Sequence, residues 1–495
     1  MLDTAPPFNP ERLFFPAHPA HPAALYPSNP DPALLKGPVI YWMSREQRVF
    51  NNQGLIYSML QAQKSSTPLV IAVFFRVSEY ENALSHNFAF MDEGLVRAKE
   101  DFKKQGIPFY IFSGSPDTLL PVVIKRLCPG PGLIVTDLDP SLVKRGWIKK
   151  LLTLIKVPLV MVDSRNIVPL LKVSGKKEFA ARTIRPKIQA RLPEFLVPFP
   201  ANPMPGTGSK PKALPRCSRS FDASVFEGLP IFTPRKMADN LAQRLGIRPG
   251  YKEALKILTR FIDLRADNYA QKSNDPNGRA LSGLSPYLHF GHISSQEIAL
   301  EIIKAPIDPA SKDAFLEQLI VRRELADNFC WYEPAYMSVK SFPEWAVKTL
   351  KEHARDPRPL VYSLDQLENA RTHDALWNAC QLEMAHTGIM QGYLRMYWAK
   401  KILQWSPDYI QAHERVIRLN DKYSIDGRDS NGYTGAAWAV GGVHDRPWSQ
   451  RAIFGKIRYM NRRGCERKFD VKAYIRAVEQ KTGQPVSPDY PVAQY

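Results

Sequence analysis

Three tryptophans in the C-terminal half of the chain, Trp377, Trp398 and Trp405, have the spacing of an electron relay. Trp398 and Trp405 stand seven residues apart, which on a helix puts them on one face, and Trp377 falls on the preceding helical segment. Closely packed indoles can pass an electron by hopping, although any one of them alone reads more simply as core packing. A relay also needs a redox cofactor at one end. Ser282 and Ser285, in Ala280-Leu-Ser-Gly-Leu-Ser-Pro-Tyr-Leu-His-Phe-Gly291, precede a helix, and with the local backbone N–H groups could hold a phosphate or pyrophosphate. An ordinary helix cap is the simpler alternative there. Arg395, in the helix of Trp398, and Asp426 could pair beside a buried cofactor, or stand unpaired at the surface.

A second chemistry is carried by Arg446 to Lys468. Eight basic residues stand there against one acid, Glu466, with Trp448, Phe454, Tyr459 and Met460 between them. Cations that meet phosphates, beside rings that stack on or wedge between bases, fit nucleic-acid binding better than a merely solvated basic loop. The whole chain agrees, with 67 Lys and Arg against 48 Asp and Glu and a formal charge of +19. Hydrolytic and metal chemistry find little support. No Gly-x-Ser-x-Gly elbow occurs, and His289, His386 and His444 are isolated from any metal-ligand spacing. The five cysteines, at 128, 217, 330, 380 and 465, are odd in number and form no Cys-x-x-Cys pair, which points to reduced thiols in an intracellular compartment.

The elements that must position these residues can be read from hydrophobic patterning. At 495 residues the natural expectation is two domains, and a hydrophobic fraction of 44% is ordinary for a globular chain. No apolar run approaches the ~18 residues of a membrane span. Residues 1–37, rich in Pro, Ala and His, read as a mobile or loosely docked arm. Strand-length apolar runs at 39–42, 69–75, 109–112, 133–136 and 159–162 then alternate with helical segments at about 45–64, 80–105, 116–128 and 140–155. This alternation predicts a doubly wound parallel sheet, Rossmann-like, in an α/β domain over 38–170. No Gly-x-Gly-x-x-Gly opens its first helix, so ordinary dinucleotide binding is not supported. A connector over 171–237 follows, with nine prolines between 193 and 234. Its Gly206-Thr-Gly-Ser-Lys210 lacks the strand and spacing of a phosphate loop and reads as linker. Residues 238–482 carry helical periodicity and form an all-helical domain, leaving 483–495 as a tail.

Many ordered blocks of this chain resemble the class II cyclobutane pyrimidine dimer DNA photolyases, from about residue 38 to 482. They include Tyr41-Trp-Met-Ser-Arg-Glu-Gln-Arg48, Val162-Asp-Ser-Arg-Asn-Ile-Val-Pro169, Ala181-Arg-Thr-Ile-Arg-Pro-Lys187 and Asn274-Asp-Pro-Asn277. Leu281 to Gly291, Arg322 to Cys330, Thr372 to Asn378, Arg395 to Lys401, Leu419 to Gly432 and Phe454 to Asn461 continue the match. The resemblance implies a U-shaped FAD in the helical domain and light-driven repair of thymine dimers. In that chemistry excited FADH⁻ lends an electron to a flipped-out dimer, the cyclobutane ring splits, and the electron returns. No general acid or nucleophile is required, in keeping with the absence of a hydrolytic motif.

By position, the resemblance assigns Tyr269, Leu281, Ser282, Gly283, Leu284 and Ser285 to the FAD phosphates and ribityl chain. Arg395 and Asp426 become the salt bridge beside the isoalloxazine, and Asn420 the residue facing flavin N5. Trp405, Trp398 and Trp377 become the photoreduction relay, in that order outward from the flavin. Asn274, Met396 and Trp438 fall in the lesion pocket with Gln318 and Arg322, while Arg446, Trp448 and Arg458 enter the DNA gap left by the dimer. Two departures stand out: Gln318 replaces an acid often found in its helix, and Ser273 replaces an Arg before Asn274-Asp-Pro-Asn277. The resemblance also implies an antenna pigment in the α/β domain, expected to be of the 8-hydroxy-deazaflavin type, although no motif separates deazaflavin, folate and flavin antennae. The partner is ultraviolet-damaged DNA, double- or single-stranded, and the expected state is an intracellular monomer, cytoplasmic in a prokaryote and nuclear or organellar in a eukaryote. A cryptochrome-like photoreceptor and a cofactor-free nucleic-acid-binding protein are the competing expectations.

Overall fold

A computed structural model of the chain describes residues 8–16, 32, 35–75, 85–127, 132–200, 226–234, 242 and 245–486. Most of the proline-rich arm, Gly206–Lys210, Cys128, Cys217 and residues 487–495 lie outside the described residues.

The apolar runs build one six-stranded sheet. Its strands are β1 (Leu13–Phe14), β2 (Val39–Trp42), β3 (Leu69–Phe75), β4 (Phe109–Ser113), β5 (Leu133–Asp137) and β6 (Leu159–Val162), in the spatial order β1-β6-β5-β2-β3-β4. Neighbours are parallel except β1 on β6. Residues of β2 and β5 are buried throughout because helices cover both faces, which explains their continuous hydrophobicity. The crossover helices Gln53–Ser65, Ser85–Lys104, Pro116–Leu127 and Leu142–Leu154 lie in the segments that periodicity marked, the first with a later start.

Two local differences have clear causes. The first helix begins at Gln53 and not near 45, because Asn52 accepts the Leu55 N–H as its cap. Residues 44–48 instead form a loop pinned by Asp137, whose carboxylate accepts the N–H groups of Ser44 and Arg45 at 2.8 and 2.9 Å. The described part of the arm is docked and not loose: β1 pairs with β6, and buried Arg12 donates to the carbonyls of Asp163, Asn166 and Ile167 and to Gln296.

The connector is likewise bound to the structure where it is described. It contains the helix Ala181–Phe195, and its residues 226–232 lie along the edge strand β4, with Ser113 N–H donating to Pro230 and Phe232 N–H to Ile111. From Tyr251 onward the described chain is helical. The apolar core on one side of the sheet runs on without a break into the first of these helices, through Phe261, Tyr287 and Phe315. A second core, around Trp377, Trp398 and Leu419, belongs to the later helices alone.

Across this junction lies a buried knot of charge. Asp429 caps the helix Ser430–Gly441 and accepts from Arg165 at 2.6 Å, Arg45 at 2.9 Å and His289 at 3.0 Å. Arg165 also meets Asp327 at 3.1 Å. Both arginines come from the α/β domain. At the other end of the same loop, Asn87 donates to the Ser424 carbonyl at 2.7 Å. The close approach depends on Gly291, at φ +65°, where a Cβ would stand 2.1 Å from the Arg45 carbonyl oxygen.

Burial opposes the charge on Asp429, yet Arg165, His289 and Arg45 together hold its carboxyl well below the ordinary range. A depressed folded-state value means stability that is present above pH ~4 and lost as pH falls through the folded value. Asp429→Asn should therefore cost about 3–5 kcal/mol at neutral pH, with the deficit shrinking toward strongly acidic pH. Urea unfolding followed by tryptophan fluorescence across that range would measure it.

Candidate flavin and DNA site

A cavity of about 940 Å³ opens at the surface of the helical domain. That is at the upper end of the ~300–1,000 Å³ usual for ligand sites. Tyr269, Asn274, Leu281, Gln318, Arg322, Arg395, Met396, Trp398, Asn420, Trp438 and Arg458, all singled out from sequence, line it. Ser282, Gly283, Leu284, Ser285, Asp426, Trp377, Trp405, Arg446 and Trp448 are not on its wall.

One side of the wall is built by the helices Gly392–Trp405 and Tyr409–Tyr423, and the loop after them holds Arg395 from behind. Arg395 donates to Ser424 Oγ at 3.2 Å and to Asp426 at 3.3 Å, so the expected pair exists. Burial of Asp426 works against its charge, but Arg395 and the hydroxyls of Ser424 and Ser285 hold the carboxyl below its ordinary range. Ser285 therefore acts on the cavity through Asp426, and Ser282 caps locally by accepting the Leu284 N–H. Asn420 Oδ1 is buried with no partner, and so is Arg395 Nε. A Cβ at Gly432 would lie 2.8 Å from Asn420 Nδ2, so this glycine leaves room for the amide.

At the mouth the cations lie on indole rings. Arg458 is held by Asp445 at 2.9 and 3.0 Å and lies over two indoles, Trp448 at 4.1 Å and Trp438 at 5.7 Å. Arg446 covers Trp448 from 5.4 Å, and Lys400, fully buried, covers Trp438 from 4.7 Å while donating to the Ala439 carbonyl. Cations and indoles thus alternate from the interior to the exposed Arg446. Gln318 and Arg322 reach the cavity from Glu317–Arg322, a wider π-helical turn between two α-helices. Glu317 in that turn is gripped by Arg185 at 2.8 and 3.0 Å. Such turns are frequent at functional sites.

The tryptophan file is present, but its order differs from the one expected. Trp398 alone of the three lines the cavity. Trp377 stacks on it at 6.3 Å with an interplanar angle of 6°, and meets Trp405 edge-on at 5.7 Å. The sequence from the cavity outward is therefore Trp398, Trp377, Trp405. Seven residues along a helix span about 10 Å, so the indole of the neighbouring helix must bridge the two. Hydrogen bonds fix the file: Trp398 donates to Gln381 and Trp377 to the Trp398 carbonyl, each at 3.0 Å. Trp405 ends it edge-on against Tyr362 and His373.

Comparison with known proteins bears on what this cavity holds. A family model described as DNA photolyase matches residues 39–205. The chain is 43% identical to a deoxyribodipyrimidine photo-lyase of Oryza sativa subsp. japonica, over 90% of this chain and 88% of that protein. It belongs to the DNA photolyase family. A match to cryptochrome-1 of Sinapis alba, by contrast, covers 50 residues, 10% of this chain. Among solved structures, a cryptochrome of Synechocystis sp. PCC6803 superposes with a TM-score of 0.68 at 14% identity, over 89% of this chain and 88% of that one, which speaks for the shared fold. No helix among the described residues is long and apolar enough to cross a membrane.

The photolyase family implies FAD, and the residues present fit it: a roomy cavity, a cationic guanidinium, and an orphaned amide oxygen ready to accept an N–H. Sequence reasoning missed Asp429, Lys400, Gly432 and the π-helical turn. Lys400, Asp429 and Gly432 lie inside blocks that match the family, but a role for each emerges only from what the fold brings against it.

Burial pushes the Lys400 amine down to about 7, with Asp445 pulling it up and Arg458 adding to the fall. The folded state therefore disfavours a charge that the unfolded chain carries until pH ~10.5. Lys400→Met should raise stability most below pH 7, and the gain should fade as pH rises toward 10.5. Urea midpoints of both proteins between pH 6 and pH 10.5 would show it.

Proposed function

We propose that this chain is a light-driven carbon–carbon lyase that repairs cyclobutane pyrimidine dimers in DNA, acting as a deoxyribodipyrimidine photo-lyase. The observation that carries it is one cavity joining three features: a wall of Asn420 and of Arg395, which Asp426 holds from behind, the start of the tryptophan file, and the cation–indole mouth. A photoreceptor without repair activity would have no use for that mouth.

In this reading Tyr269, Leu281, Arg395 and Asn420 hold FAD directly, with Asp426 steering Arg395, and Ser282, Gly283, Leu284 and Ser285 shaping the turn behind it. Bound and reduced, FAD supplies an electron that light can promote and that returns after the ring opens, so dimer splitting is redox-neutral. The protein has no proton to transfer. Asn420 offers its unpartnered oxygen to a flavin N–H, and the clamp on residues 424–429 keeps that wall in place. Trp438 and Met396 present flat or polarizable surfaces to the two linked bases of an extruded dimer, and Asn274, Gln318 and Arg322 border it. Arg446, Trp448 and Arg458 meet the DNA at the mouth, where phosphates remain hydrated and stacking replaces the lost dimer. An antenna pigment of the 8-hydroxy-deazaflavin type in the α/β domain completes the proposal.

Illuminating the purified protein with a dimer-containing oligonucleotide tests the function, and dimers that persist under light would overturn it. Because Trp377 bridges the file, Trp377→Phe should retain bound flavin yet reduce its photoreduction rate by at least tenfold. Repair after chemical reduction should stay near the wild-type level. Absorbance at flavin wavelengths during illumination separates the two effects.

A further inference from the structure

His444 lines the cavity beside Gln318, Arg322 and Trp438, and the reading above gives it no task. Its backbone is held at φ +62°, left-handed and uncommon for a residue with a side chain. The ring packs edge-on against Phe329 at 5.5 Å. Its Nε2 is buried and has no hydrogen-bond partner. Buried polar atoms are rarely left so in a folded protein, and those that are commonly await a ligand group. Burial, reinforced by Arg322 and Lys177, pushes the imidazole down to about 4, so it is neutral at physiological pH.

We propose that His444 Nε2 hydrogen-bonds the imide edge of a pyrimidine in the extruded dimer, making His444 a specificity-determining contact for the lesion. The inference rests on the repair reading above. A neutral nitrogen deep among Phe329 and Trp438 does not compensate a phosphate's charge, which Arg446 and Arg458 can meet at the mouth. A thymine edge instead brings N3–H between two carbonyls, and Gln318, also neutral, borders the same space. His444 and Gln318, both neutral, can meet that edge only by hydrogen bonds.

Binding measured in the dark by fluorescence anisotropy tests this without any repair step. The probes are oligonucleotides carrying a thymine dimer, an N3-methylated dimer, a dimer with a methylphosphonate between its thymines, or no lesion. His444→Leu should bind the thymine dimer about tenfold more weakly and undamaged DNA unchanged. His444→Gln, which bears the same left-handed backbone cost, should recover most of that loss. On the N3-methylated dimer, wild-type affinity should fall and the Leu variant should lose nothing more. A loss that is equal on damaged and undamaged DNA, or no loss at all, overturns the proposal. So does a loss that persists on the N3-methylated dimer but disappears on the methylphosphonate, which would put the contact on phosphate. Wild-type protein that does not prefer the dimer to undamaged DNA overturns the repair reading along with it; a preference that His444→Leu leaves intact overturns this inference alone.

Discussion

Everything at the cavity depends on a carboxylate that never touches it. Asp429 gathers Arg165, Arg45 and His289 in a buried place, and only Arg165 and Arg45 belong to the α/β domain. A lone charge there would be prohibitive, so the two domains are stable in one relative position, the one that closes the knot. The loop that ends at Asp429 begins at Ser424, which Asn87 of the α/β domain also holds. Between those anchors sits Asp426 with its Arg395. The α/β domain thus acts on the cavity through Arg395, by clamping the segment that carries its partner Asp426.

Aromatic side chains play two roles in this molecule, and electrostatics sorts them. Trp438 is bracketed by Lys400 and Arg458, and Trp448 by Arg458 and Arg446. A cation over an indole face opposes removal of an electron from it, so these rings suit stacking and resist oxidation. Trp398 and Trp377, in the file, are held by hydrogen bonds to neutral acceptors and by each other. The sorting stops at the end of the file, where Lys401 lies over the Trp405 ring at 5.3 Å.

The sheet was legible in sequence because each buried strand is a short, continuous apolar run between helical segments, and all five such runs are strands within a residue of their expected ends. The edge strand β1 escaped notice since two residues, Leu13 and Phe14, carry no period. The start of the first helix was misplaced for a similar reason: the Asn52 cap is local, but the hold of Asp137 on Ser44 and Arg45 comes from a strand some ninety residues away. Of the expected site residues on the helix Gly392–Trp405, Arg395, Met396 and Trp398 line one cavity, whereas Trp405 at the helix end does not.

The sequence alone determined the class of the fold, the family, and the presence of a tryptophan file and a basic, aromatic segment, because periodicity, composition and ordered blocks are properties of neighbours along the chain. Tertiary structure decided that Trp377 stands in the middle of the file, that Asp429 joins the domains, and that His444 is left with a bare nitrogen. Each depends on side chains from separate elements meeting in space, where distance and burial set the energy, and no spacing along one segment encodes that meeting.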